Sequence, residues 1–334
     1  MSINSRPLGV SLSASKHLSL AETRTLAALA DRLGYHSLWI PETWGWDAIS
    51  VLAMACGATS RISIASGVLN VYSRSPTLIA QTAATLQELS NGRFILGLGA
   101  SGPTVVEHWH GVPFSRPLER TRAYISIIRA ALSGEEVAYE GEGMDLRGFR
   151  LSNPPSTPVP IYLAALGPRN VRLAGEVADG WLPIFAPLGH LRPLLETFHD
   201  SACQAGRNPD SLTVAAYLPA AIAPCGERLL AQQLAYYIGG MGSFYGRYIS
   251  RLGFERDAAL IRDHWQAGDR LSAVNAVSRG LLDCCTLGTT TEAARERLDA
   301  FRAEGVMLPI VTLPRGCNLQ EIADTLEVLA PRDA

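Results

Sequence analysis

The 334-residue chain lacks most of the signals that announce a function outright. It has no run of Lys or Arg, and its net charge is only -2. Charge therefore points to no nucleic-acid surface and no polybasic membrane patch. It has no apolar stretch long enough to span a bilayer. The opening M-S-I-N-S-R-P-L-G carries no apolar signal core, so a cytoplasmic protein is expected. The six cysteines, Cys56, Cys203, Cys225, Cys284, Cys285 and Cys317, include no Cys-x-x-Cys pair. A zinc ribbon or a thioredoxin-type motif is thereby unsupported, and reduced thiols are the expectation. Low-complexity segments, internal repeats and an evident domain linker are also missing. Residues 1–334 thus read as one unit.

What the chain does have is a strong core signal: 47% hydrophobic against 18% charged residues. That balance excludes disorder. Apolar runs at 8–12, 37–42, 62–68, 93–102, 161–166, 181–185, 212–218 and 307–313 predict eight strands, each followed by helical periodicity. Helix signals are sharp in places. Ser19 with Glu22 and Thr289 with Glu292 have capping-box spacing, and Ser75-Pro76 opens a helix with proline at its first position. Strand–helix alternation implies a parallel sheet, and eight units favour a closed (β/α)8 barrel over an open doubly wound sheet. Two insertions are expected. One follows the fourth strand, with the loop 103–115 and a hairpin at 137–151. The other follows the seventh, as a mainly helical excursion over 226–282 that would form a lid or an oligomer surface.

Barrel active sites lie at the C-terminal ends of the strands. Those ends supply Ser11 and Ser13, Glu42 and Thr43, Ser66 to Asn70, Gly99 to Gly102, Ala165 to Asn170, Ile184 and Phe185, Leu218 and Pro219, and Thr312 and Leu313. No His/Asp/Glu cluster with metal spacing occurs among them, and no nucleophile–base pair. His108-Trp109-His110 has no carboxylate or cysteine partner for a metal. Small residues dominate this rim, which suits a large flat ligand lying against backbone. Gly67 is the odd member, because a glycine inside a buried strand marks a bulge or a close approach. A-A-L-G-P-R-N (164–170) turns directly from strand to helix. Its helix N-terminus would hold a phosphate, with Arg169 adding charge; an ordinary turn with Arg169 in a surface ion pair is the competing reading. Glu42 also has two readings. A partly buried carboxyl could donate a proton, or it could pair with an arginine such as Arg74. The glycines and tyrosines of 236–246 read as packing.

The segments G-V-L-N-V-Y-S-R-S-P (67–76), A-Q-T-A-A-T-L-Q-E-L-S-N-G-R-F-I-L-G-L-G-A-S-G-P (80–103) and A-A-L-G-P-R-N-V-R-L-A-G-E-V-A-D-G-W (164–181) resemble the bacterial luciferase-like superfamily. Within it they resemble the branch that uses the deazaflavin coenzyme F420, which includes methylenetetrahydromethanopterin reductase. The resemblance implies a non-prolyl cis peptide at Gly67-Val68 beneath the coenzyme's middle ring. It implies a phosphate site at Gly167, Pro168, Arg169 and Asn170. It places Ser11, Ser66, Asn70, Gly99, Ala100, Ser101 and Ala165 along the coenzyme, and Glu42 and Thr43 at the catalytic position. Thr43 and Pro103 stand where sugar-phosphate dehydrogenases of the branch carry histidine and glutamate, which argues against glucose-6-phosphate oxidation. The implied activity is hydride transfer at the deazaflavin C5 to or from a small organic, natural-product or peptide substrate, with C=C or C=N reduction foremost. A reduced-FMN monooxygenase on the same barrel and a non-catalytic cofactor-binding member are the alternatives. A homodimer, with no metal, is implied as well.

Overall fold

A computed structural model describes residues 6–12 and 18–331. Ser13, at the first rim turn, lies outside the described residues. Strands β1 (Gly9–Ser11), β2 (Ser37–Ile40), β3 (Ser63–Ser66), β4 (Leu69–Asn70) and β5 (Phe94–Gly99) alternate with helices α1 (Leu20–Arg32), α2 (Ala48–Ala58) and α3 (Pro76–Leu89). A π-helical turn (Thr104–Trp109), helix α4 (Pro117–Leu132) and the antiparallel hairpin β6 (Val137–Gly141)–β7 (Met144–Phe149) form the first insertion. Then follow β8 (Ile161–Ala164), α5 (Pro168–Val177), β9 (Gly180–Leu182), α6 (Arg192–Gln204), β10 (Thr213–Val214) and β11 (Tyr217–Pro219). The second insertion holds α7 (Gly226–Ala235), a second π-helical turn (Tyr236–Gly240), α8 (Ser243–Ser250), α9 (Glu255–Gln266), α10 (Arg270–Asn275) and α11 (Arg279–Cys285). The chain closes with α12 (Thr291–Ala303), β12 (Ile310–Thr312) and α13 (Leu319–Leu329).

Ten of these strands make eight staves, all paired in parallel, in the order β10-β9-β8-β5-β3-β2-β1-β12-β11, with β4 continuing β3 alongside β5. Strands β10 and β11 are two pieces of one stave that bonds on both flanks. Ala215 N–H donates to the Trp181 carbonyl at 2.8 Å, and Ile310 N–H donates to the Ala216 carbonyl at 2.8 Å. The ring is therefore closed, a (β/α)8 barrel with the two expected insertions.

Alternation along each stave sorts side chains to two faces. Trp39, Ala65, Ile95, Tyr162, Leu182, Tyr217 and Ile310 fill the lumen. Their neighbours Leu38, Ile64, Leu96, Ile161, Trp181 and Val311 face the helices. The caps expected at Ser19 and Ser75 form. The third is corrected by one residue: Thr290, not Thr289, caps α12, because its hydroxyl is the one that accepts the Ala293 N–H.

The floor of the barrel is closed by carboxylates and amides that take several bonds each. Asp31 is 8% exposed and accepts the N–H groups of Ser60, Arg61 and Ile62 at 3.0, 3.0 and 2.7 Å. Burial alone would raise its pKa. These backbone donors and the Ser60 hydroxyl outweigh burial and hold the carboxyl below the ordinary aspartate value.

Candidate active site at the barrel rim

The stave of β3 and β4 is interrupted at the rim, where the Gly67–Val68 peptide is cis. Gly67 N–H still reaches the Ile40 carbonyl at 2.8 Å. The bare Cα of Gly67 has a local cause. A Cβ built there would lie 2.1 Å from the Tyr217 hydroxyl oxygen and 3.3 Å from Trp39 Cβ. The close approach expected at Gly67 is thus made, from inside the lumen, by a tyrosine of the opposite side of the ring. Ser66 is fully buried, and its hydroxyl both accepts the Gly97 N–H at 2.8 Å and donates to the Gly97 carbonyl at 2.9 Å. Its hydroxyl is committed to the β3–β5 seam, directly below the rim.

Val68 and Asn70 point the site outward. A Cβ on Gly99 would lie 2.8 Å from Val68 Cγ2, so the valine side chain rests over the glycine. Asn70 stands in register opposite Gly99. Its Oδ1 accepts the Tyr72 N–H at 2.9 Å, but its buried Nδ2 has no partner. Beyond Gly99, Ala100 is half-buried and Ser101 is exposed with φ 58°. Ala165, on the neighbouring stave, is buried, and its carbonyl accepts Trp181 Nε1–H at 2.8 Å. Ser11 is buried at the end of β1, in register with Thr312.

Helix α5 begins at this edge. Gly167 is its N-cap, Pro168 its first residue, and no side chain caps it. The space where a Gly167 Cβ would sit is open. Arg169 is exposed and forms no ion pair among the described residues. An uncapped helix start with a clear approach is the kind of end that suits an anion.

The Glu42 carboxylate pairs with Arg74 and accepts the Ser73 hydroxyl at 3.2 Å, while Arg74 also reaches Asp47 at 3.0 Å. Both carboxylate oxygens of Glu42 are acceptors here. The arrangement is that of an anchor for Arg74, the second of the two readings of this carboxyl. Thr43 stands half-buried beside it.

Two further buried polar atoms at the same rim lack partners: the Tyr217 hydroxyl on β11 and Thr312 Oγ1 on β12. Burial, then the neighbouring Tyr237, push the Tyr217 pKa well above the ordinary tyrosine value, so it stays a neutral phenol. Buried polar groups are normally bonded. Unpaired ones gathered at the strand ends mark a place built for something else to bind.

A family model described as luciferase-like monooxygenase matches residues 5–307. The chain belongs to the luciferase-like monooxygenase family. A Mycobacterium tuberculosis protein, provisionally named a coenzyme F420-dependent oxidoreductase, is 31% identical over 320 residues, spanning 89% of this chain and 92% of its own. The 5,10-methylenetetrahydromethanopterin reductase of Archaeoglobus fulgidus is 27% identical over 299 residues, spanning 86% of this chain and 88% of its own. Among solved structures, the coenzyme F420-dependent tetrahydromethanopterin reductase of Methanopyrus kandleri superposes with a TM-score of 0.84 at 22% identity, covering 98% of this chain and 97% of that one. That likeness concerns the fold. No helix among the described residues is long and apolar enough to cross a membrane.

Sequence reasoning placed Thr312 at the rim without singling it out and missed Tyr217 as a rim group. It also missed an aromatic cluster of Trp44, Trp109, Tyr236 and Arg315, whose members lie up to 271 positions apart. Only the exposed W-G-W at 44–46 hinted at it. The reading of 236–246 as packing holds for its glycines: Cβ atoms on Gly239 and Gly240 would lie 2.6 and 2.8 Å from the Trp265 side chain.

Proposed function

We propose that this member of the family is an F420-dependent oxidoreductase acting on a small organic or natural-product substrate, with C=C or C=N reduction as its reaction. The observation that carries the reading is the buried Asn70 Nδ2 without a partner, in register with Gly99, whose bare Cα lies under the Val68 side chain, together with the uncapped start of α5. A flat heteroaromatic coenzyme needs such a surface: small residues under its rings, a donor for a ring carbonyl, and free N–H groups for its phosphate. Gly167 to Asn170 would hold the phosphate. Val68 would support one ring face, leaving the other to substrate. When bound, the deazaflavin supplies a hydride at C5 with little reactivity toward oxygen.

The protein's own contribution is binding, orientation and dryness. Glu42 fixes Arg74 at the edge, and Thr43 lines the same end of β2. The excursion 226–282 acts as a lid. Its Tyr237 and Tyr245 pack edge-on against Phe185, with ring centroids 4.9 and 6.2 Å apart. The resemblance also leads us to a homodimer, which sedimentation would test.

The deciding experiment is a titration of the purified protein with F420, followed by anaerobic oxidation of reduced F420 by a panel of cyclic enones and imines. Micromolar binding and oxygen-independent turnover are expected. Turnover driven by reduced FMN with oxygen consumption, and none with F420, sinks the proposal in favour of a flavin monooxygenase. Tight coenzyme binding without turnover on any acceptor would favour a non-catalytic member.

A further inference from the structure

Two loops and the two insertions meet above the barrel mouth and leave large aromatic surface in water. Trp44 follows β2, Trp109 ends the π-helical turn after β5, Tyr236 begins the second π-helical turn, and Arg315 follows β12. Trp44 and Trp109 stack at 5.6 Å with their planes 9° apart. Tyr236 meets Trp44 edge-on at 6.2 Å. Arg315 lies over both, 5.4 Å from the Trp44 ring and 5.3 Å from the Tyr236 ring. Trp44 is nonetheless 48% exposed and Trp109 43%.

Core packing does not explain this arrangement, since half of each indole faces solvent. Large exposed aromatic patches on a chain usually mark a binding surface. Arg315 adds a specific chemical demand. It is exposed and forms no ion pair with a carboxylate among the described residues, while cation–π contacts orient its guanidinium. An arginine held by two rings and lacking an acid is a ready fork for an oxyanion. The four residues all rise from the C-terminal rim, on the side from which substrate must reach the coenzyme floor. Two π-helical turns contribute to it, and such turns recur at functional sites.

We infer that Trp44, Trp109, Tyr236 and Arg315 form an outer substrate subsite that takes a planar, conjugated molecule bearing a carboxylate or similar anion. The ring stacks on exposed indole, and the anion engages Arg315. The inference rests on the oxidoreductase reading for its role in turnover, but the binding itself does not need the coenzyme.

The test uses 2-naphthoate and its neutral counterpart 2-naphthamide, titrated by calorimetry into the whole protein with and without saturating F420. Coenzyme occupancy is read separately from deazaflavin fluorescence. Naphthoate should bind about tenfold tighter than the amide, the advantage of one charge-assisted contact. R315Q should abolish that preference and leave the amide's affinity unchanged. W109A should weaken both probes together. Equal affinity of the two probes for the wild-type protein, or a preference that survives R315Q, overturns the inference. So does a preference that vanishes once F420 is bound, because Arg315 would then serve the coenzyme's own anion. If W109A shifts the sedimentation coefficient and neither probe binds, the cluster is a subunit contact and the inference fails. A preserved preference without F420 binding would count only against the coenzyme reading.

Discussion

The floor of the barrel and its rim treat polar groups in opposite ways. On the floor, Asp31 collects three backbone N–H groups, and Gln87 donates to the Thr157 hydroxyl at 3.0 Å while accepting the Phe94 N–H at 2.9 Å. At the rim, Asn70 Nδ2, the Tyr217 hydroxyl and Thr312 Oγ1 are buried with no partner. The contrast separates stability from function within one ring of staves. Asp31 and Gln87 are satisfied within the fold, whereas the three rim atoms are left where a ligand could satisfy them.

The largest effect expected from breaking the floor comes from Asp31→Ala. It strands three N–H donors and should cost about 3 kcal/mol in denaturant unfolding. Coenzyme affinity measured below the transition should be unchanged. A loss of affinity without loss of stability would erase the distinction between floor and rim.

Gly67→Ala is next and joins the two regions. The new methyl collides with the Tyr217 hydroxyl, an overpacking cost of about 1–3 kcal/mol. Adding Tyr217→Phe removes the colliding oxygen and should recover part of that loss. No recovery in the double variant would show that the glycine answers to something other than Tyr217.

Asn70→Ala should behave in the reverse sense to Asp31→Ala. Stability should fall by about 1–2 kcal/mol, less than at Asp31, because the change strands one buried donor, the Tyr72 N–H, and not three. F420 affinity should drop about tenfold by fluorescence titration. Equal stability losses at Asn70 and Asp31 would break the comparison.

The smallest effect is on the acid side. The Asp31 pKa is depressed in the folded protein, so its contribution is complete above the unfolded value, about 3.9, and is lost as pH falls through the folded value. The stability gap between the wild-type protein and Asp31→Asn, followed by urea midpoints from pH 6 to pH 3, should shrink toward the acid end. A gap that widens on acidification would contradict the bonding described for Asp31.

Much of the fold was legible because barrel staves are buried on both faces and read as apolar runs between helical periods. The run 212–218 gave no sign of the Ala215–Ala216 interruption, since two alanines continue an apolar strand as well as any residue. At the site, the start of α5 was readable from G-P-R-N, where local chemistry suffices. Glu42 was not, because its competing roles depend on whether Arg74 folds back to meet it. The Ser66 hydroxyl was not readable for the same kind of reason: a serine at a strand end can turn its hydroxyl outward or into the seam, and only its bonds to Gly97 show which. Tyr217 lies 150 positions from Gly67, so the contact that keeps that glycine bare has no local trace.

One feature of the ring bears on how the chain could be rearranged. The first stave bonds directly to the last, with Gly9 N–H on the Pro309 carbonyl at 2.8 Å and Gly9 opposite Ile310. Tyr35 likewise donates to the Leu326 carbonyl at 2.9 Å. The ring therefore has no preferred starting point. A circular permutant that joins the two ends by a short linker and opens the turn between β6 and β7 would keep every stave pairing. It would release the hairpin at the edge of the mouth while leaving the floor's bonds untouched.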